Sequence, residues 1–491
     1  MPRHAQLLSS ARAAVLGALL GAGLLAACGP SVGHKGGDDD DPNAPCKPGK
    51  VSECYSGQDG TAGVGACHKG TRTCTDAGEW GACQGEALPG AEACNDGVDN
   101  NCNGQVDEDA DADGDGFTTC GVPGVIAGDC CDSTECTRPE LVNPGAFDAA
   151  GNNLDDDCDG TVDNAAVTCD QALPNGSSQA ADYAKAMDLC QQATTADKRW
   201  GVLYAELTLA DGTGVPATKA HAVRPRFGTG VTPRANGAAM VVLSTGAAAG
   251  VGDSNPTFQD FEDVAEPGNN KSSAFPQDFF AANGNKLPNA PGCANPSGNS
   301  AMDPVMLTLT IRVPTNAHSF KLQTNFFSSE FPEYTCSKFN DFFVVLLDSL
   351  YTGQNPNPAD KNLAFYQPQG STQKYPVGVN LAANNTGLFT QCVNGRIGCA
   401  VGGTSSITTC TGVAQLAGTG FDDPRSGNCN SNSLEGGGTG WLVTSGNVKP
   451  GEVIKLRIAI WDTSDHRLDS LAVIDGFEWS VDLAQPGTVI Y

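Results

Sequence analysis

The chain has 491 residues and carries 56 acidic against 28 basic side chains, a net charge of −28 at pH 7. That balance argues against nucleic acid as a partner, because affinity for phosphate rests on lysine and arginine, and it makes multivalent cations the natural counter-charge. With 61 glycines and 29 prolines, the composition predicts turns and short strands in place of long helices.

Residues 1–27 read as an export signal. Arg3 and Arg12 precede an apolar stretch, Ala13 to Ala27, that is too short to cross a bilayer as a helix. The stretch ends in Leu25-Ala26-Ala27-Cys28, which resembles the bacterial lipobox. The resemblance implies a diacylglyceryl group on the Cys28 thiol and cleavage before that residue. The other reading is an ordinary cleaved signal followed by a chance cysteine. No later segment is long and apolar enough to span a membrane, so lipid would be the anchor and the membrane a partner. The expected location is a bacterial membrane, at the outer membrane or cell surface. Residues 28–45 lack the apolar content to fold and read as a flexible tether, with Asp38 to Asp41 a solvated run.

Of the 21 cysteines, setting Cys28 aside leaves 20: fourteen between Cys46 and Cys190 and six between Cys293 and Cys429. Even numbers in an exported chain predict disulfides within each set, with connectivity left open. Residues 46–93 form a cysteine-rich module with no run able to build a core, so disulfides must hold it, and a spacer is the simplest role. Residues 94–170 are intensely acidic, with Arg138 the one basic residue. Within them Asp99–Asp107 and Asp155–Asp163 align without a gap, an internal repeat with an insertion between.

Calcium takes six to eight oxygen ligands, and a chain supplies them compactly when acidic or amide side chains alternate around a glycine turn. Three segments satisfy that rule. In the first, Asp99, Asn101 and Asn103 take loop positions 1, 3 and 5, with Gly104 at the turn, the Gln105 carbonyl at position 7 and Asp107 at position 9. The second runs Asp111, Asp113, Asp115, Gly116 and the Phe117 carbonyl. The third uses Asp155, Asp157, Asp159, Gly160, the Thr161 carbonyl and Asp163. Position 12, where a helix-flanked EF-hand places a bidentate glutamate, holds Ala110, Val122 and Ala166, so these are not EF-hands proper. Glu108, Asp109, Asp129 or Asp132 are candidates to close a site from a neighbouring turn. The bland alternative is a solvated acidic stretch held by disulfides. Carboxylates this dense repel one another without an ion, so metal would also supply folding free energy.

A short helical connector is predicted within 171–194, from about Ser178 to Cys190. Ala180, Tyr183, Ala184, Met187 and Cys190 share a core-facing side, and Ser177 or Ser178 is the candidate cap. From 195 to 485 the pattern turns to strands: Trp200–Leu209, Leu307–Val313, Phe342–Leu347, Val453–Ile460 and Leu471–Trp479. These runs, separated by Gly, Pro and Asn, predict a mainly β protein with a C-terminal, jelly-roll-like β-sandwich. Its strands are expected to be hidden on one face and wet on the other. Phe326, Phe327, Phe331, Phe339, Phe342 and Phe343 are expected to supply most of the core. The region before the sandwich is expected to be disulfide-rich, with calcium loops and little regular structure.

The phrases CNDGVDNNCNGQVDED and DDDCDGTVDN resemble the metal-binding repeats of MopE-type surface proteins. The resemblance implies copper. The residues imply calcium, since carboxylate and carbonyl oxygens suit hard cations whereas copper favours imidazole and sulfur. No His or Met lies inside the repeats, and the six histidines are scattered singly. Calcium is therefore the expected ion and copper the alternative. Val241–Gly246, Phe326–Tyr334, Phe339–Phe343 and Leu468–Phe477 resemble the choice-of-anchor L domain, a resemblance that implies a bacterial surface protein. Among those phrases Glu330, Glu333, Asn340, Asp341 and Asp475 form a possible further calcium site, or else cap turns and pair with Lys338 or Arg467.

The expected function is a surface-exposed calcium-binding lipoprotein, an adhesin or ligand-binding protein whose sandwich meets an extracellular glycan or protein. Calcium would stiffen the acidic region into a stalk. The alternative is a copper-scavenging protein. A hydrolase is the third reading, from Gly252-Asp253-Ser254-Asn255 and from Asp462 four residues before His466. Neither the aspartate spacing nor the oxyanion donors of such enzymes are met, and no HExxH or GxSxG appears, so no catalysis is expected.

Overall fold

The computed structural model describes residues 46–491 apart from 91, 94–95, 108–110, 121–125, 133–136, 197, 235–236, 262–268, 425–428 and 430–433. The export signal, Cys28 and the tether lie outside the described residues, as do Glu108 and Asp109. No described helix is long and apolar enough to cross a membrane.

Every cysteine among the described residues is disulfide-bonded, which marks the chain as extracytoplasmic. The expected division also appears in the bridges: Cys46–Cys74, Cys54–Cys83, Cys130–Cys158 and Cys169–Cys190 pair within the first set, and Cys293–Cys336, Cys392–Cys410 and Cys399–Cys429 within the second. Residues 46–63 with 67–88 form one compact unit. It is built on an antiparallel hairpin, β1 (Val51–Cys54) against β2 (Gly70–Thr73), with Cys54 bridged to Cys83 and Cys46 to Cys74. Its one tryptophan, Trp80, lies under the Arg72 guanidinium, 4.7 Å from ring centroid to carbon. Disulfides take the place of an apolar core there.

The second unit holds residues 89–491, so the acidic repeats and the sandwich are one body. The connector helix α1 covers only Ala180–Lys185, shorter than the predicted Ser178–Cys190. Asp188 adopts a left-handed φ of 68°, which an α-helix does not accommodate, and Cys190 is drawn off to Cys169. Ser177 does not cap the helix. Its Oγ accepts a hydrogen bond from the Gln179 N–H and pairs with Asp182. Tyr183, Ala184 and Met187 face the core as expected.

The sandwich is mainly antiparallel. Its strands are β3 (Gly201–Thr208), β4 (His221–Arg224), β5 (Met240–Ser244), β6 (Ala301–Arg312), β7 (Ser319–Ser328), β8 (Phe342–Asp348), β9 (Gly437–Asn447), β10 (Val453–Asp462), β11 (Ser470–Ser480) and β12 (Gly487–Ile490). One sheet runs β12-β9-β7-β11-β5-β4, and the other β8-β10-β6-β3 with Ser272–Ser273 added along β6. Alternate residues from both sheets meet in the main core: Val241 and Leu243 of β5, Leu307 and Leu309 of β6, Phe343 and Val345 of β8, Ile458 of β10 and Ile474 of β11.

The outward faces are wet only in part: Tyr204, Val453 and Lys455 of one sheet and Lys321 and Glu478 of the other are exposed, but much of the rest is covered. Met240, Val242, Phe327, Leu471 and Val473 point outward from the six-stranded sheet and are covered by Phe227, Phe261 and Phe421. Phe342, Val344, Leu346 and Trp461 do the same on the other sheet, beneath Phe275 and Phe279, the latter from the short helix α2 (Gln277–Ala282). The predicted one-sided burial thus holds for part of each sheet and is corrected for the rest, where long excursions between strands fold back and make two further apolar layers. The aromatic core is redistributed to match. Phe326, Phe331 and Phe343 lie between the sheets, Phe327 and Phe342 lie in the outer layers, and Phe339 is only half-buried.

Candidate metal centres

Aspartate and asparagine favour these loops because their short side chains accept hydrogen bonds from backbone N–H groups slightly ahead of them. In the first loop Asp99 accepts from the Asn103 N–H at 3.2 Å and the Gly104 N–H at 2.9 Å, and Asn103 accepts from Gln105 at 2.9 Å. In the third, Asp155 accepts from Asp159 at 3.1 Å and Gly160 at 3.0 Å, and Asp159 from Thr161 at 2.8 Å. The left-handed positions repeat as well: Cys102, Gly104 and Asp107 have φ of 62°, 98° and 55°, and Cys158, Gly160 and Asp163 have 57°, 91° and 51°. Even an exchange is matched. Asn100 donates to Asp96 in the first repeat, whereas Asn152 donates to Asp156 in the third.

The position-9 residues act differently from the EF-hand expectation. Asp107 accepts from the Asp96 and Gly97 N–H groups, and Asp163 from those of Gly151, Asn152 and Asn153. They close the turn that precedes each loop. Carboxylates of Asp155, Asp157 and Asp159 gather within 4.8 Å of one another. Asn101 accepts from the Asn103 N–H, so the first loop gathers amides where the third gathers acids.

The second loop is the densest. Asp111 accepts from Gly114 at 2.6 Å and Gly116 at 2.9 Å, Asp113 from Asp115 and Asp115 from Phe117. Asp129 and Asp132, from the turn beyond it, complete two groups, Asp111–Asp113–Asp132 and Asp113–Asp115–Asp129, with ligand oxygens within 4.8 Å. Oδ2 of Asp113, Asp129 and Asp132 is shielded from solvent without a hydrogen-bond partner. Burial, reinforced by neighbouring carboxylates, pushes Asp115 up to about 6 and Asp129 up to about 7, and Asp157 of the third loop up to about 6. These are sites where negative charge is poorly compensated by protein alone.

The second loop is also tied to the sandwich. Asn143 donates to Asp115 Oδ2 at 2.6 Å, and its own carbonyl oxygen accepts from Thr315 Oγ1 at 2.7 Å. Asn316 holds Phe147 through two further hydrogen bonds. The separate stalk expected for this region is instead a layer docked on the sandwich, and Asn143, which carried no sequence signal, is the bridge.

In the sandwich, Glu330 and Asp341 come together, with Asp462 as their third member. Glu333 instead lies beside Cys399 and Cys429, whose sulfurs are bonded to each other. Asn340 accepts from the Asn380 N–H, and Asp475 from the N–H groups of Arg234 and Gly476. These two satisfy backbone groups, the alternative reading made for them. Asp462 drew notice in the sequence only for lying four residues before His466, and not as a partner of these acids.

Residues 235–477 match the choice-of-anchor L domain. Residues 89–108 and 138–164 match a second family, the MopE-type "Putative metal-binding motif". The two motif segments contain the first and third loops and the Asn143 bridge, while the second loop falls between them. No curated protein and no solved structure matches the chain. The segment matching the choice-of-anchor L domain thus contains the Glu330–Asp341–Asp462 group, and the motif segments contribute the first and third acidic loops.

Proposed function

We propose that this is a calcium-binding surface lipoprotein, anchored through lipid on Cys28, whose choice-of-anchor L sandwich engages an extracellular ligand. The observation that carries calcium is the second loop, where Asp129 and Asp132 each complete a carboxylate group around Asp113, and Oδ2 of all three is shielded from solvent without a hydrogen-bond partner. The ligand atoms gathered in the second and third loops are all oxygens, and every cysteine among the described residues is in a disulfide. Hard cations fit such a set. Calcium would neutralise the acidic layer and fix it, through Asn143, against Thr315 of the sandwich. A cleft of about 640 Å³ lined by Asp157, Asp159, Trp200 and Trp479 sets two half-buried indoles beside acidic groups, a surface suited to a ligand with both apolar faces and hydroxyls, such as a glycan. The motif family's MopE type supports a second reading, copper scavenging. A catalytic role is not proposed, because His466 Nδ1 bonds Asp303 at 2.8 Å rather than meeting Ser254 or Asp462.

Chelation tests the proposal. Added calcium should raise Tm and suppress protease nicking within 94–170, and EDTA should reverse both. Copper that binds more tightly than calcium, with no calcium effect on Tm, would favour scavenging. Asp129→Asn should weaken calcium binding at least tenfold by titration calorimetry.

A further inference from the structure

Three carboxylates unrelated to the loops converge where the two sheets end. Glu330 lies two residues beyond β7 of the six-stranded sheet, whereas Asp341 immediately precedes β8 and Asp462 closes β10 of the other. They are 2%, 0% and 2% exposed. One oxygen from each lies within 4.8 Å of the others. Both oxygens of Asp341, Oε2 of Glu330 and Oδ1 of Asp462 are shielded from solvent without a hydrogen-bond partner. Among the described residues no ion pair reaches any of the three. Carboxylates removed from water are costly unless paired, hydrogen-bonded or coordinated to metal. Asp465 adds further negative charge beside them.

We propose that Glu330, Asp341 and Asp462 bind one calcium ion that clamps the two sheets together at this end of the choice-of-anchor L domain. The site is independent of the acidic loops. The ligand set is wholly oxygen, and a mutual spacing of up to 4.8 Å is what atoms about 2.4 Å from a common centre can reach. Asp341, with both oxygens unpartnered, can bind through two atoms, which calcium accepts more readily than magnesium. Access is provided by a cavity of about 130 Å³ lined by Glu330, Tyr334, Phe339, Asp465, Arg467 and Leu468. Protons are the alternative means of neutralising the group, and they would leave it indifferent to calcium.

Hydrogen exchange read by mass spectrometry on the full chain distinguishes the two. Calcium should slow exchange at least tenfold in peptides covering 326–348 and 455–475, relative to EDTA, in the wild type and in the loop variant Asp113→Asn/Asp129→Asn. It should leave those peptides unchanged in Asp341→Asn/Asp462→Asn, which should bind one calcium fewer in equilibrium dialysis. Glu330→Gln, which lines the access cavity, gives the same reading if the double variant does not fold. Equal protection in wild type and Glu330→Gln, or no calcium effect on these peptides in the wild type, overturns the proposal. Loss of protection in 94–170 alone would concern the loops and leave this site standing.

Discussion

His221 shows how far one buried side chain bends the stability of this protein with pH. Its Nδ1 is 2.6 Å from the Tyr183 hydroxyl, and burial pushes its imidazole down to about 4 from an ordinary value of 6.5. The folded state therefore holds the neutral ring while the unfolded chain takes up a proton below 6.5. Its contribution is complete above 6.5 and is lost as pH falls toward 4, the loss by then being on the order of 3 kcal/mol. Replacing it by glutamine should flatten the fall in urea midpoint between pH 6.5 and 4, measured as the difference from wild type. A parallel fall in both proteins would show that the ring charges in the folded state. At this same scale the loop residues were the most legible in the sequence. Asp99, Asp155 and their followers act locally, within a few residues, so spacing alone placed them, and Asp129 and Asp132 lay close enough downstream to be found. Asp462 was not legible as a partner of Asp341, because only the pairing of β8 with β10 brings them together.

Elements were legible as strands and misread in their surroundings. Alternation in Val453–Ile460 and the apolar run Phe342–Leu347 located β10 and β8, because apolar residues at a period of two are what a pleated strand presents. What covers their outer sides could not be read, since the covering segments are loop-like in composition and place single aromatics such as Phe275 and Phe279 by tertiary contact. Leu346 tests the difference. It points away from the sheet-to-sheet core, yet it is fully buried in the outer layer with Val344 and Trp461. Leu346→Ala should therefore cost about 2–5 kcal/mol in denaturant unfolding with calcium present. A change within about 0.5 kcal/mol, the usual size at a wet surface position, would mean that this layer is not packed in solution.

For the whole molecule the surplus charge makes calcium and protons rivals for the same oxygens. Burial, with neighbouring carboxylates, pushes Asp115, Asp129 and Asp157 up from the ordinary 3.8 to about 6, 7 and 6 in the folded chain. Raised values mean that, without metal, the stability they provide is complete below 3.8 and is lost as pH rises through 6 to 7. In EDTA, Tm should thus fall between pH 4 and 7.5. With saturating calcium the cation displaces those protons, and Tm should hold or rise over the same interval. Each site held at a hundred times its Kd adds about 2.7 kcal/mol. His221 slopes the opposite way, but identically with and without calcium, so it cancels in the difference between the two curves. That difference should widen steadily toward pH 7.5 and shrink near pH 4, because carboxylates that hold protons cannot ligate. A difference that is flat across pH would mean calcium acts somewhere other than these acidic groups. No difference at all would remove calcium from the account of how the acidic layer stays docked on the sandwich.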